Sequence, residues 1–295
     1  MTIEPDIKRQ VREFYDQIGW KEVGEGLYQN AHYEDLRPVA RDYIHRCHLR
    51  VRRHLKPSGR FLLDAGSGPI QYPEYLEYSR GYRYRVCADI SILALKEARK
   101  RIGAHGLFVV ADVANLPFKP GVFEGLVSLH TIHHLPEAEH ARAYHELYRV
   151  LAPGSSGAVV NGWPSSALME FFNPLIRLAN RVRGRLGLTE AKEKKAEKKE
   201  RGGAAPAASA GSPKGTFTNR HDVAWVKGEL GRSIPLEVRV WRSVSVRFLR
   251  ALVHPRLGGR LWLGLLYRLE ERFPHYFGEK GQYPLIIMRK KNGLD

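Results

Sequence analysis

Asp64, Asp89 and Asp112 each close an apolar run, and the first opens a glycine turn, Asp64-Ala65-Gly66-Ser67-Gly68-Pro69. A carboxylate in such a position attracts cations and accepts hydrogen bonds from hydroxyls and amines, while glycines let a ligand approach the backbone. Farther on, "SLHTIHHL" places His130, His133 and His134 within five residues. Imidazole, with an ordinary pKa of about 6.5, is the side chain best suited to take a proton near neutral pH. The set suits a ligand carrying hydroxyls and positive charge, next to a group that can accept a proton. Metal binding is not indicated, because no acidic or cysteine partner completes a ligand set and the spacing is not H-E-x-x-H.

The turn itself narrows the ligand. A dinucleotide fingerprint needs G-x-G-x-x-G, but Gln71 stands at the third glycine and Pro69 removes an N–H that a phosphate would use. A P-loop is excluded by the lack of Gly-Lys-Ser/Thr. An acidic strand end also opposes an anion. S-adenosylmethionine (SAM), with an ammonium and a sulfonium and no phosphate, fits better. Asp89 lies 25 residues beyond Asp64, one βαβ step, which puts it at the edge of the adjacent strand in reach of both ribose hydroxyls. Its alternative is to cap the following helix, for which Ser91 is better placed. Asp112 is the corresponding candidate for the adenine amine, with Val113 and Leu116 as apolar contacts, or else a turn aspartate.

The elements that must position these residues alternate. Apolar runs at 60–64, 84–88, 107–111, 122–129 and 157–162 read as strands, and 71–79, 91–102 and 137–151 as helices. This order predicts a doubly wound α/β fold, a mostly parallel sheet with helices on both faces. Helices are expected over 6–18, 38–55 and 168–187. After "EAKEKKAEKKERGGAAPAASAGSPKG" (190–215), too polar and Gly/Ala-rich to bury anything and therefore expected to be disordered, come a helix over 219–230, a strand over 236–246, a helix over 260–273 and a strand from 283.

"LLDAGSGP", "CADIS", "ADVANLPF", "VFEGLVSLHTIHHLP" and "HELYRVLAPGSSGAVV" follow in the order and spacing of a known family. Over residues 55–163 the chain resembles a class I SAM-dependent methyltransferase, of the type 11 group that includes the ubiquinone and menaquinone C-methyltransferases. The resemblance implies a Rossmann-like core with a seven-stranded sheet. It implies that Asp64, Ala65, Gly66, Ser67 and Gly68 hold the methionine part of SAM, Asp89 and Ile90 the ribose, and Asp112 and Val113 the adenine. Ser128 and His130 would approach from the fourth strand, and Tyr15 and Tyr28 from an N-terminal lid. The chain departs from the family at Ile70, where a third glycine is common, and at Glu124, where the fourth strand usually has Asp.

Residues 1–55 are expected to form this lid, 56–163 the SAM-binding core, 164–218 an insertion, and 219–295 the last two strands with a helical insertion at 246–282. His133 and His130 are candidates for a general base, needed only if the acceptor must lose a proton; packing or capping is the alternative. "LYQNAHYED" adds His32 and Tyr33 to the lid. On a one-turn helix His130 and His134 would share a face and His133 would point elsewhere. The acceptor must be selected by Trp163, Phe171, Phe172, Arg177, Arg181, Trp241, Arg242, Arg247, Trp262, Tyr267, Phe273, His275, Tyr276 and Phe277, aromatics and cations suited to a lipid-like or anionic small molecule. The net charge of +17 leaves RNA as a second acceptor class, and a SAM-binding protein without turnover is a third reading. The two cysteines, Cys47 and Cys87, are expected to be buried and unpaired. No apolar run is long enough to span a bilayer and the N-terminus lacks a secretory core, so a cytoplasmic enzyme is expected. Apolar residues on more than one face of 260–273 point to burial in the cap or in a homodimer.

Overall fold

The structure is a computed structural model and describes residues 3–24, 27–30, 34–185 and 216–292. Seven strands form its main sheet: β1 (Gly59–Ala65), β2 (Tyr82–Asp89), β3 (Gly106–Val110), β4 (Phe123–Leu129), β5 (Leu151–Val160), β6 (Leu236–Arg242) and β7 (Tyr283–Arg289). Their spatial order is β3-β2-β1-β4-β5-β7-β6. Only β7 is antiparallel to its neighbours, β5 and β6. The carboxyl ends of the other six therefore share one edge. β1 lies beside β2 and β4, so the order reverses there and opens the crevice in which doubly wound sheets bind ligands.

The period-two pattern of the strands explains the layering. Leu63, Ala65, Val86 and Ala88 face one side and pack with Ala143, Tyr144, Leu147 and Val150 of α4 (His140–Val150). Leu62 and Cys87 face the other, with Leu95 and Ala98 of α3 (Ile92–Ile102). Ser91 caps α3, its Oγ accepting from Ala94 N at 3.0 Å. A third cluster joins Tyr43, Ile44 and Cys47 of α2 (Arg41–Leu49) to the cap helices α5 (Ala167–Arg185), α6 (Val246–Leu252) and α7 (Gly259–Arg272). Both cysteines are free and buried, as expected.

Several boundaries differ from the sequence reading. The N-terminal helix α1 covers Ile3–Phe14 and passes into a π-helical turn, Tyr15–Gly19. Residues 73–79 form a 3-10 helix. β5 begins at Leu151, because the "APGSS" segment stays extended. The strand expected over 236–246 stops at Arg242, since Ser245 turns inward to cap α6 by accepting from Phe248 N. The 190–215 segment lies outside the described residues. No described helix is long and apolar enough to cross a membrane.

Candidate active site

Gly66 and Gly68 both take left-handed backbone, φ +73° and +53°. A Cβ on Gly66 would lie 2.2 Å from Thr131 Oγ1, and one on Gly68 would lie 3.1 Å from the Trp20 ring. The turn after β1 is thus held between the exit of β4, where Thr131 Oγ1 donates to Gly66 O, and the N-terminal segment. Ile70 also has positive φ, 58°, and its side chain is fully buried. Bulk there replaces the common third glycine with core packing.

Asp89, at the end of β2, accepts from Gly68 N through Oδ2 and from Ser91 N through Oδ1, both at 2.9 Å. Burial pushes its pKa up, against those two bonds, to about 6. A carboxylate has about four acceptor positions, so two remain for hydroxyls. Asp112 accepts from Ala114 N at 2.9 Å and from Lys8 Nζ at 2.6 Å. Lys8 also pairs with Glu139. Burial works against the Lys8 charge, but the two carboxylates outweigh it and its pKa is raised. Tyr15 Oη meets His134 Nε2 at 2.7 Å and Ser91 Oγ donates to Asp16. Lys8, Tyr15 and Asp16 therefore fasten the N-terminal segment across the carboxyl ends of β2, β3 and β4.

One cavity of 1140 Å³ runs along this edge. It is lined by Asp64, Gly66, Ser67, Gly68, Asp89, Ile90, Asp112, Val113 and Tyr15, and continues past His130 and His133 to Trp241, Arg242, Arg247 and Tyr283. β2 and β6 are five strand intervals apart, about 24 Å at about 4.8 Å each. A cavity for one small ligand is typically about 300–1,000 Å³, so this one lies just above that range.

Four of the expected cofactor residues are placed differently. Asp64 lines the cavity, but Oδ2 is bound by the buried Arg85 guanidinium. Its charge is neutralised from behind and does not repel anions as the sequence suggested. Ala65 is buried in the sheet and Ser128 faces its interior, pairing in register with Val159, so neither reaches the cavity. Tyr28 is buried behind Trp20, ring centroids 6.2 Å apart, with Arg101 over its face. Leu116 is in the core rather than against the cavity. His32 and Tyr33 lie outside the described residues. Trp20 and Thr131 were missed; the only signals were an aromatic near Tyr15 and a hydroxyl inside the histidine cluster.

The histidines separate by environment. His134 is clamped, Nδ1 donating to Phe217 O at 2.8 Å. His133 is buried, and Nδ1 lies 3.2 Å from Asn161 Oδ1, whose Nδ2 donates to Tyr144 Oη. This orientation puts the His133 proton on Nδ1 and leaves Nε2 as an acceptor. His130 has φ +56°, an uncommon conformation for a non-glycine residue. Its ring packs against Trp241 and Tyr283 and makes no hydrogen bond among the described residues. Burial, helped by Arg242, lowers its pKa to about 3. Burial and the neighbouring histidines hold His133 well below 6.5, and burial brings His134 to about 4. The one-turn helix covers only Ile132–His134, so His130 lies before it; the rings of His133 and His134 are 4.1 Å apart, those of His130 and His133 6.3 Å.

Of the expected acceptor residues, Trp241, Arg242 and Arg247 line the cavity. Phe171, Trp262, Phe273 and Tyr276 are solvent-exposed, while Trp163 and Tyr267 are buried in packing. One side of α7 buries Leu263 and Tyr267 in the cap and the other exposes Leu261, Trp262, Leu265 and Leu269. Arg242 pairs with Glu34, which also faces His48. Burial pushes the Glu34 carboxyl up, but Arg242 and His48 outweigh it and bring it to about 2.

Residues 63–159 match a family model described as a methyltransferase domain. The mouse probable tRNA methyltransferase 9B is 31% identical over 133 residues, covering 44% of this chain and 28% of that protein. The phosphoethanolamine N-methyltransferase 2 of Haemonchus contortus, solved with SAM, shares the fold at TM-score 0.53 and 14% identity, covering 96% of this chain and 60% of that one. The [4+2]-cyclase SpnF does so at TM-score 0.51 and 15% identity, covering 97% of each chain. The chain thus spans about a quarter of the curated relative and less than two thirds of the Haemonchus enzyme. The seven-stranded sheet is the Rossmann-like methyltransferase fold.

Proposed function

We propose that this chain, which carries a SAM-dependent methyltransferase domain over residues 63–159, transfers the methyl group of SAM to a small-molecule or lipid-linked acceptor by O- or C-methylation. One observation carries the reading: the cavity that begins at Gly66, Gly68, Asp89 and Asp112 continues without a break to His130, Trp241 and Arg242. The residues fit the cofactor. Asp89 has two acceptor positions left for the ribose hydroxyls, the side-chain-free glycines leave the turn open to the methionine end, and Ala111, Ile90 and Val113 offer apolar surface beside Asp112 for the adenine. Bound there, SAM supplies a methyl group on a positively charged sulfur, already activated for in-line displacement.

The protein's own work is then alignment and control of charge. Holding two reactants in line is worth about 7–11 kcal/mol of a barrier. Imidazoles with pKa values of about 3 and 4 are poor proton sinks, and the charge of Arg242 that helps depress His130 also stabilises an oxyanion. The site therefore suits an acceptor that enters ionised, a phenolate, enolate or carboxylate. His130 and His133 act on it through hydrogen bonds, with His133 fixed by Asn161. Burial disfavours the protonated imidazole that the general-base role expected for them requires.

The aromatic and basic lining around Trp241, Arg242 and Arg247 supports the small-molecule class. The mouse relative and the charge of +17 favour RNA as the second reading. SpnF, a cyclase, has the same fold without being named a methyltransferase. Incubation with methyl-labelled SAM and an extract, followed by separation into RNA, lipid and small-molecule fractions, distinguishes them. Label in the lipid or small-molecule fraction supports the proposal. Label in RNA overturns it, and binding without any transfer favours a non-catalytic role.

A further inference from the structure

The part of the cavity contributed by residues beyond β5 has an unbalanced set of charges. Arg183, Arg220, Arg242, Arg247 and Arg250 line it, and among the described residues the one carboxylate beside them is Glu34. Glu34 is already committed to Arg242 and His48. Arg183 and Arg250 donate to backbone carbonyls, Arg250 O and Glu34 O. Arg220 and Arg247 are different: both are exposed, and neither makes an ion pair or hydrogen bond among the described residues.

The unfilled hydrogen-bonding capacity has the same bias. Trp241 and Arg242, each at least 98% buried, line this region, and Trp241 Nε1 and Arg242 Nε have no acceptor among the described residues. Indole and guanidinium N–H groups only donate. Cations without counterions among the described residues therefore line the same cavity as the histidines. Guanidinium is the side chain whose planar fork matches an oxyanion with two parallel bonds.

We propose that the methyl acceptor carries a phosphate-like oxyanion, held by Arg220 and Arg247 where they line the cavity beyond the cofactor half. This rests on reading the cavity as a SAM site joined to an acceptor site. Arg220 belongs to the segment after the insertion and Arg247 to α6, so the two grip the anion from different elements and fix the acceptor's direction. The anion can be that of a soluble phosphoester or of a lipid headgroup. The second source is relevant because α5, which lines the cavity through Asn180 and Arg183, exposes Phe171, Leu175, Leu178 and Val182 along one face, with exposed Arg177, Arg181 and Arg185 nearby. Apolar and basic groups on one helix suit an anionic lipid surface.

Phosphorus NMR line broadening of inorganic phosphate tests the site on the full chain loaded with S-adenosylhomocysteine. The wild-type protein is expected to broaden and saturate the phosphate signal. The Arg220→Gln/Arg247→Gln double variant should bind phosphate at least about 10-fold more weakly, the lower end for losing a charged hydrogen bond. Its affinity for SAM should stay within about twofold, which also shows that it is folded. Displacement of phosphate by glycerol 3-phosphate identifies a soluble acceptor, and displacement only by phosphatidic acid vesicles a lipid one; either supports the proposal. Equal phosphate binding by wild type and double variant, or none by a wild type that binds SAM, overturns it. Failure to bind SAM at all would instead refute the reading of the cofactor half.

Discussion

Replacing Asp89 with Asn separates what this carboxylate does for the fold from what it does for the ligand. Asp89 has two backbone donors and two free acceptor positions. Losing the charge on the acceptor of the ribose hydroxyls removes about 1.5–3 kcal/mol, so SAM should bind about 10- to 150-fold more weakly at pH 8. The pH dependence is sharper still. Burial raises the Asp89 pKa to about 6 from an ordinary 3.8, so the folded protein holds the proton more tightly than the unfolded chain. Asp89 is neutral in both states below about pH 4, and stability falls as pH rises through 4–6, by about 3 kcal/mol at 1.36 kcal/mol per unit. Above pH 6, Asp89→Asn recovers that amount and loses part of it again, because an amide can accept from only one of Gly68 N and Ser91 N. Its stability should lie within about 2 kcal/mol of wild type. Ligand binding runs the other way. SAM selects the ionised carboxylate, so wild-type affinity should fall roughly tenfold from pH 7 to pH 5. That slope should be absent in Asp89→Asn. Isothermal titration calorimetry across this range, with denaturant melts beside it, reads both effects. A variant with wild-type affinity, or one that keeps the same slope, would refute the role of Asp89.

The remaining predictions concern the surroundings. Glu34→Gln leaves Arg242 and His48 buried without their shared carboxylate and should cost about 3–5 kcal/mol in a urea melt; a change below 1 kcal/mol, roughly the level of an exposed pair, would show that the pair is not buried in solution. Tyr15→Phe removes the bond to His134 and should destabilise by only about 0.5–1.5 kcal/mol, while stopped-flow measurement shows SAM leaving several-fold faster; an unchanged release rate would mean that this segment is not a lid. Lys8→Met frees Asp112 Oδ2, and SAM should then bind more tightly than adenosine-free methionine analogues gain; an equal gain for both would remove Asp112 from the adenine site.

The alternation of strands and helices was legible in the sequence because apolar runs, acidic strand ends and glycine turns are local signals. Gly66, Gly68, Asp89, Ile90, Asp112 and Val113 were placed on the cavity by these signals and the family resemblance together. What was not legible depends on contacts far apart in the chain. Nothing near Asp64 announces that Arg85, on the next strand, occupies its carboxylate. Tyr28 and Ser128 lie beside cavity residues in sequence, but one strand or one ring turns them away from it. His130 and His133 were candidate bases beside a packing alternative, because residue type gives only the ordinary pKa, whereas burial, with Arg242 for His130 and the neighbouring histidines for His133, pushes it down. The cap aromatics were recognised as a group, yet only the packing of α5, α6 and α7 decides which of them face inward.

The central claim, that SAM binds at the turn after β1, is tested most directly by calorimetric titration of the purified protein with SAM, beside Gly66→Ala. A methyl group there would meet Thr131 at 2.2 Å or less and sit on left-handed backbone. One SAM per wild-type chain, with binding lost in a Gly66→Ala protein that circular dichroism shows to be folded, is the expected result. No saturable binding by the wild type, or unchanged binding by folded Gly66→Ala, would contradict it.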